Sequence, residues 1–227
     1  MATYFVTGID TAMGKTVATG MMARFLLKRH KKAATAKLVQ AGCEGLPEDI
    51  LTHRRLMGIE PIEEDYNGLS CPYVFRFPAS PHLAARIEGA EIDPGKILSA
   101  LSVMEKLYDP LLIEGAGGLL VPLRKNLLCA DLAAFAGWKL IVVSSAKLGS
   151  INHTFLTLEA ATNRNIPVAG IVYNHFEKQG PAILRDSREM MLYALERMGL
   201  PGALVDLPEV TDFDSPPEVD FSPLFPQ

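Results

Sequence analysis

Near the start of the chain, two glycines bracket a turn that ends in a lysine and a threonine: Gly8-Ile9-Asp10-Thr11-Ala12-Met13-Gly14-Lys15-Thr16. Backbone N–H groups in such a turn can close around an anion, the Lys15 ammonium reaches β- and γ-phosphates, and the Thr16 hydroxyl can ligate magnesium. That is nucleotide triphosphate chemistry. Five residues rather than four separate Gly8 from Gly14, so a strict search for the usual phosphate-loop spacing would pass over it. A second lysine, Lys37, sits toward the carboxyl end of Ala33-Ala34-Thr35-Ala36-Lys37-Leu38-Val39, which reads as a short strand. Ligands bind outside the carboxyl ends of parallel strands, so Lys37 there points toward the same crevice; the alternative is a surface lysine in a loop. Glu114 follows Leu111-Leu112-Ile113 and precedes Gly115-Ala116-Gly117-Gly118. A carboxylate at a strand tip before glycines suits the open side of a nucleotide-bound magnesium, whereas a capping acid would need a partner to be buried.

Positioning these groups requires alternating strands and helices. Tyr4-Phe5-Val6 has the character of a buried parallel strand, and Val17 to Leu27 the spacing of a core-facing helix. Lys28-Arg29-His30-Lys31-Lys32 reads as a solvated helix C-terminus favourable to its dipole. Leu46-Pro47-Glu48-Asp49 opens another helix, where Asp49 serves the dipole whether or not it touches metal. Ser80-Pro81-His82 precedes a helical stretch from Leu83, with His82 either packing or facing a ligand, and Asp93-Pro94 caps a helix running to about Tyr108. Trp138–Ser144 and Pro167–Tyr173 are further strands, the second closing on Asn174, whose amide can pair with a base edge. Between them Lys147-Leu148-Gly149-Ser150-Ile151-Asn152-His153 enters a helix near residue 151, a further candidate anion site. A helix over about Ala182–Met198 and a strand over Ala203–Asp206 complete the pattern. The pattern predicts a doubly wound, mostly parallel α/β sheet flanked by helices, of P-loop type.

With 227 residues, 48% hydrophobic and 21% charged, the chain suits one α/β domain. The proline-rich acidic tail over 211–227 is expected to be an extended strap or disordered. A net charge of -4 gives no general attraction to nucleic acid or anionic lipid. Neither a signal peptide nor an apolar span of membrane length is visible. Cys43, Cys71 and Cys129 are too far apart for a zinc site and read as reduced thiols in the cytoplasm.

Taken in order, these segments resemble the dethiobiotin synthetase family over roughly residues 3 to 208. The first loop is similar to the family's Gly-Thr-Asp-Thr-x-Val-Gly-Lys-Thr, including the extra residue. Lys37-Leu38-Val39-Gln40-Ala41-Gly42 is similar to Lys-Pro-Val-x-(Ser/Thr)-Gly, and the motifs at Ser80, Glu114 and Lys147 fall in the family's order. The resemblance implies an ATP- and magnesium-dependent ligase acting on 7,8-diaminopelargonic acid and CO2. It places ATP on Asp10, Thr11, Ala12, Met13, Gly14, Lys15, Thr16, Val17 and on Glu114, Gly115, Ala116 and Gly117, with adenine against Asn174 and Pro208. By the same resemblance Thr16, Asp49 and Glu114 would surround magnesium, directly or through water, and Thr11, Lys15 and Lys37 would carry the catalysis. Substrate would meet Lys37 and Ala41, and its carboxylate would meet Gly149, Ser150, Ile151 and Asn152 of the neighbouring subunit in a homodimer.

Three positions depart from the family: Ala41 lacks the usual hydroxyl, Leu38 replaces proline and Ile9 replaces threonine. Loss of the hydroxyl costs a substrate hydrogen bond of about 1 kcal/mol, or signals a different substrate. The same scaffold also serves amide-forming synthetases of the cobyrinate type and nucleotide-switched partitioning ATPases. Lys37 and the Lys147–His153 segment argue against a pure switch.

Overall fold

The structure, a computed structural model, describes residues 2–29 and 32–225. His30 and Lys31 of the basic cluster, and the last two residues of the tail, lie outside the described residues. In chain order the elements are β1 (Thr3–Gly8), α1 (Lys15–Arg29), β2 (Ala34–Lys37), β3 (Gln40–Ala41), α2 (Glu48–Met57), α3 (Glu63–Tyr66), β4 (Val74–Phe75) and α4 (Pro81–Ile87). They continue as α5 (Pro94–Leu107), β5 (Leu111–Gly118), β6 (Pro122–Arg124), β7 (Leu127–Leu128), α6 (Cys129–Ala136) and β8 (Lys139–Ser145). The last are α7 (Ser150–Thr162), β9 (Val168–Asn174), α8 (Pro181–Arg197) and β10 (Leu204–Leu207).

Six strands form one sheet in the order β10-β9-β8-β1-β5-β2, and every neighbouring pair is parallel. Parallel strands covered by helices on both faces are buried on both sides, which is why they read as unbroken apolar runs. In β8, Leu140 to Val143 are wholly buried, as are Leu111 to Ile113 in β5. Helices α1 and α2 approach closely because Gly20 faces α2: a Cβ there would lie 2.7 Å from Leu56 Cδ1.

Some elements differ from the sequence reading. β5 runs on to Gly118, so Glu114 sits inside the strand rather than at its tip. Proline fits the first turn of a helix, and α4 accordingly starts at Pro81 rather than Leu83, which puts His82 in its first turn. Asp93 caps α5, accepting from Gly95 N at 2.8 Å. Residues 211–225 run extended apart from a short 3-10 turn at Ser222–Leu224, with Phe221 and Leu224 wholly buried.

Candidate active site

Strand register brings the first charged groups together. Val6 of β1 and Lys37 of β2 both sit opposite Glu114 of β5, so the lysine and the carboxylate are neighbours by backbone geometry alone. The turn after β1 needs left-handed backbone at Gly14, with φ 77°. A Cβ on Gly14 would also lie 2.1 Å from the Asn174 amide nitrogen. Ala12 takes φ 58°, a conformation few non-glycine residues adopt, at the same turn.

A cavity of about 530 Å3 opens at this edge of the sheet. Thr11, Ala12, Lys15, Thr16, Lys37, Ala41, Asp49, Glu114, Ala116 and Gly117 all border it. Lys37 Nζ donates to Glu114 Oε1 at 3.1 Å and to Asp49 Oδ2, and Thr16 Oγ1 donates to the same Glu114 oxygen at 3.1 Å. Lys15 Nζ lies 3.5 Å from the Asp10 carbonyl oxygen, and the Asp10 carboxylate accepts from Thr11 N at 2.7 Å.

Burial and charge pull these groups in opposite directions. Burial opposes the Lys37 ammonium, but the Glu114 and Asp49 carboxylates overcome it and hold its pKa well above the ordinary lysine value. Burial would raise Glu114, yet Lys37 and His53 hold its carboxyl far below the usual carboxylate range. Lys15, with less compensation, is pushed down by burial, against the pull of Glu114. Lys15 and Lys37 thus border one cavity together with the Asp49 and Glu114 carboxylates, which pair with Lys37.

The curated relatives agree with that chemistry. An ATP-dependent dethiobiotin synthetase of Chlorobaculum tepidum is 51% identical over 203 residues, covering 89% of this chain and 85% of the relative. The chain belongs to the dethiobiotin synthetase family. Family members from Pasteurella multocida and Anoxybacillus flavithermus are 41% and 36% identical, covering 86% and 94% of this chain and 91% and 94% of the relatives. A family profile described as an AAA domain matches residues 2–213.

Among solved structures, a ParA family ATPase from Chlorobium tepidum has TM-score 0.53 at 11% identity, covering 92% of this chain and 84% of that one. The MinD cell division protein of Aquifex aeolicus has TM-score 0.51 at 18% identity, covering 94% and 86%. Those likenesses show the P-loop fold alone.

Not every residue carried over from the dethiobiotin synthetase family lies at the Lys37 cavity. Asn174, at the end of β9, is buried and its amide donates to Met13 O at 3.2 Å, bracing the phosphate loop from behind. Pro208 follows β10 on the surface. Gly149, the N-cap of α7, lines a separate cavity of about 390 Å3 with Ser150 and Ile151, while Asn152 is exposed. Leu148 beside them is almost fully exposed, and Lys147 reaches Asp10 at 3.6 Å.

Two residues at the site had no role assigned from the sequence. His53, fully buried, directs Nε2 at Glu114 Oε2 (2.8 Å) and Nδ1 at Thr35 Oγ1 (3.1 Å). Thr35 Oγ1 already accepts from Arg54 at 2.7 Å, so its own hydrogen is free to point at Nδ1 and leave the His53 proton on Nε2 for the carboxylate. The only available signal was the four-residue spacing of Asp49 and His53, which puts both on one face of α2. Gln40 also borders the cavity, in the variable position of its motif.

Proposed function

We propose that the chain makes dethiobiotin from 7,8-diaminopelargonic acid, CO2 and ATP, with ADP and phosphate as the other products. One amine of the diamine captures CO2 as a carbamate and releases a proton. A carbamate oxygen attacks the γ-phosphorus of ATP, the bond to the bridging oxygen breaks, and ADP leaves. The second amine then attacks the carbonyl carbon of the carbamic–phosphoric anhydride. As the ureido ring closes, that nitrogen gives up a proton and phosphate departs with the former carbamate oxygen.

What supports the reading most is the convergence of Lys15 and Lys37 on one cavity, each beside Glu114. Carbamate and triphosphate repel each other, and fixed ammonium groups offset that repulsion without reorganising as charge moves. Lys15 holds the β- and γ-phosphates, and Lys37, with Thr11, faces the oxygens of the phosphoryl group in flight. No covalent bond to the protein is needed.

The donor set fits magnesium. Thr16 Oγ1 and Glu114 Oε1 lie 3.1 Å apart and Asp49 borders the same cavity, all hard oxygen donors. Thr16, Asp49 and Glu114 would hold the ion, which when bound supplies further positive charge to the phosphate oxygens. Asn174 and Pro208 would hold the adenine, Asn174 through whatever its amide has left after donating to Met13 O. In a homodimer, the α7 N-terminus at Gly149, Ser150, Ile151 and Asn152 would receive the substrate carboxylate from the neighbouring subunit. A soluble cytoplasmic enzyme without nucleic-acid partners is in keeping with the net charge of -4 and with no described helix being long and apolar enough to cross a membrane.

The test is turnover. Purified protein with ATP, Mg2+, diaminopelargonic acid and bicarbonate is expected to release ADP and form a cyclic urea detectable by mass. ADP release that ignores the diamine and responds to DNA or a protein partner would point to a switch instead.

A further inference from the structure

The two oxygens of the buried Glu114 carboxylate are engaged from opposite sides. Oε1 accepts from Thr16 Oγ1 and Lys37 Nζ, which border the cavity, while among the described residues His53 Nε2 is the one donor to Oε2. The last torsion of a glutamate side chain is broad and two-fold, so hydrogen bonds rather than covalent geometry set the plane of the carboxylate. Thr16 and Lys37 are themselves groups that a nucleotide and its cation would engage. The contact with His53 is the one that can stay in place throughout.

His53 is held at both its backbone and its ring. Helix α2 packs so closely on α1 that a Cβ on Gly20 would come within 3.3 Å of His53 Cα. On the ring, Nδ1 faces Thr35 Oγ1 at 3.1 Å; Thr35 Oγ1 accepts from Arg54 at 2.7 Å, and Arg54 is itself fixed by its two hydrogen bonds to Asp65. Every member of this chain is buried. Because Arg54 occupies Thr35 Oγ1 as a donor, the threonine hydrogen goes to Nδ1 and the ring proton stays on Nε2. The chain therefore delivers a hydrogen bond to Oε2 without a further positive charge. A third cationic side chain there would neutralise the carboxylate, whereas a neutral N–H orients it and leaves its charge for a cation on the other side.

We propose that His53, with Thr35 setting its tautomer, is a positioning residue for the divalent cation: it holds Glu114 Oε2 at the back of the site and so keeps Oε1 turned to the cavity. The assignment rests on the magnesium donors proposed above and not on the carboxylation itself. Asp49 and His53 lie four residues apart on α2, so one helix face supplies both a donor to the cation and the group that aims another.

The test uses the full-length protein with ADP and Mn2+ as the probe, bound metal being read by electron paramagnetic resonance and thermal unfolding measured alongside. His53→Leu removes the donor, and His53→Gln places an amide nitrogen near the position of Nε2. The expected result is Mn2+ binding about tenfold weaker in His53→Leu and within about threefold of the parent in His53→Gln, although both variants melt below the parent. Affinity that follows the donor rather than the melting temperature marks a positioning residue; a merely structural one would not produce it. In the parent labelled with 15N at histidine, the His53 ring, recognised by its absence from the His53→Leu spectrum, is expected to show a protonated Nε2 and a bare Nδ1. Unchanged Mn2+ affinity in His53→Leu, equal losses in the two variants, or a proton on Nδ1 would each overturn the assignment. Should Glu114→Gln bind Mn2+ as the parent does, the proposed metal site fails first and the role of His53 falls with it. None of these readouts needs turnover, so they are separate from the test of the reaction.

Discussion

Lys37 owes its charge to its neighbours. A lysine this deeply buried would shed its proton alone, but Glu114 and Asp49 keep the ammonium in place before any substrate arrives. In the proposed reaction its positive charge would matter most when phosphoryl lies between carbamate and ADP. Lys37→Met is therefore expected to lower kcat by about 100-fold while KM for ATP changes less than about threefold, in steady-state assays at saturating diamine. Equal losses in both would make Lys37 a simple binding group. His53 acts one contact further out. It donates to one Glu114 oxygen and so turns the other toward Thr16 and Lys37. His53→Leu is expected to raise the Mg2+ concentration giving half-maximal turnover about tenfold, as measured by metal titration at fixed ATP. Lys15, Lys37 and Glu114 stand out in the sequence because glycines or apolar runs flank them. His53 does not, because its meaning depends on Glu114, 61 residues away.

At the scale of elements, α2 is what joins these groups to the sheet. One of its faces carries Asp49 and His53, and the next residue, Arg54, is buried in a bidentate pair with Asp65 of α3 at 2.7 and 2.8 Å while also bonding Thr35 of β2. Burial would raise the Asp65 pKa, but the Arg54 hydrogen bonds hold it below the ordinary value of 3.8. The pair's stabilisation is thus complete above that value and is lost as pH falls toward the lower folded-state value. Urea unfolding from pH 7 to pH 3 should show stability declining below about pH 4. Asp65→Asn should lose about 3–5 kcal/mol at pH 7 and show a shallower decline in acid. A second brace is the C-terminal strap. Arg55 holds Asp214, Lys28 holds Glu218, and Phe221 packs edge-on against Phe25 with ring centres 5.9 Å apart. The proline-rich, acidic composition of this segment is compatible with either a strap or disorder. The difference is made by Phe221, Leu224 and Phe225, whose pockets come from distant segments and leave no local periodicity to read. Phe221→Ala should cost about 3–5 kcal/mol, measured by thermal or urea unfolding. No loss would mean the strap lies on the core without supporting it.

For the molecule as a whole, the sheet sets the chemistry by where its strands end. β1 and β2 flank β5, so the phosphate loop, Lys37 and Glu114 converge on a single edge. Most of this was legible: strands buried on both faces write themselves as apolar runs, as β5, β8 and β9 do, and the helices are bounded by proline, glycine and capping residues. The two-residue strands β3, β4 and β7 are too short to show any alternation, and α6 is nearly all alanine and apolar, without the polar face that would mark it. Strand order also leaves no trace in local sequence, so the facing of Lys37 and Glu114 emerges only once the sheet is assembled. ParA and MinD relatives share the fold at 11–18% identity, which leaves the assignment to the residues at the strand ends.

The central claim is that phosphoryl passes directly from ATP to a carbamate oxygen held between the two lysines. A single turnover with 18O-labelled bicarbonate, faster than exchange with water, tests it by mass analysis of the phosphate released. One labelled oxygen in each phosphate is predicted, with the other retained in the ureido carbonyl; dethiobiotin formed alongside unlabelled phosphate would contradict the account.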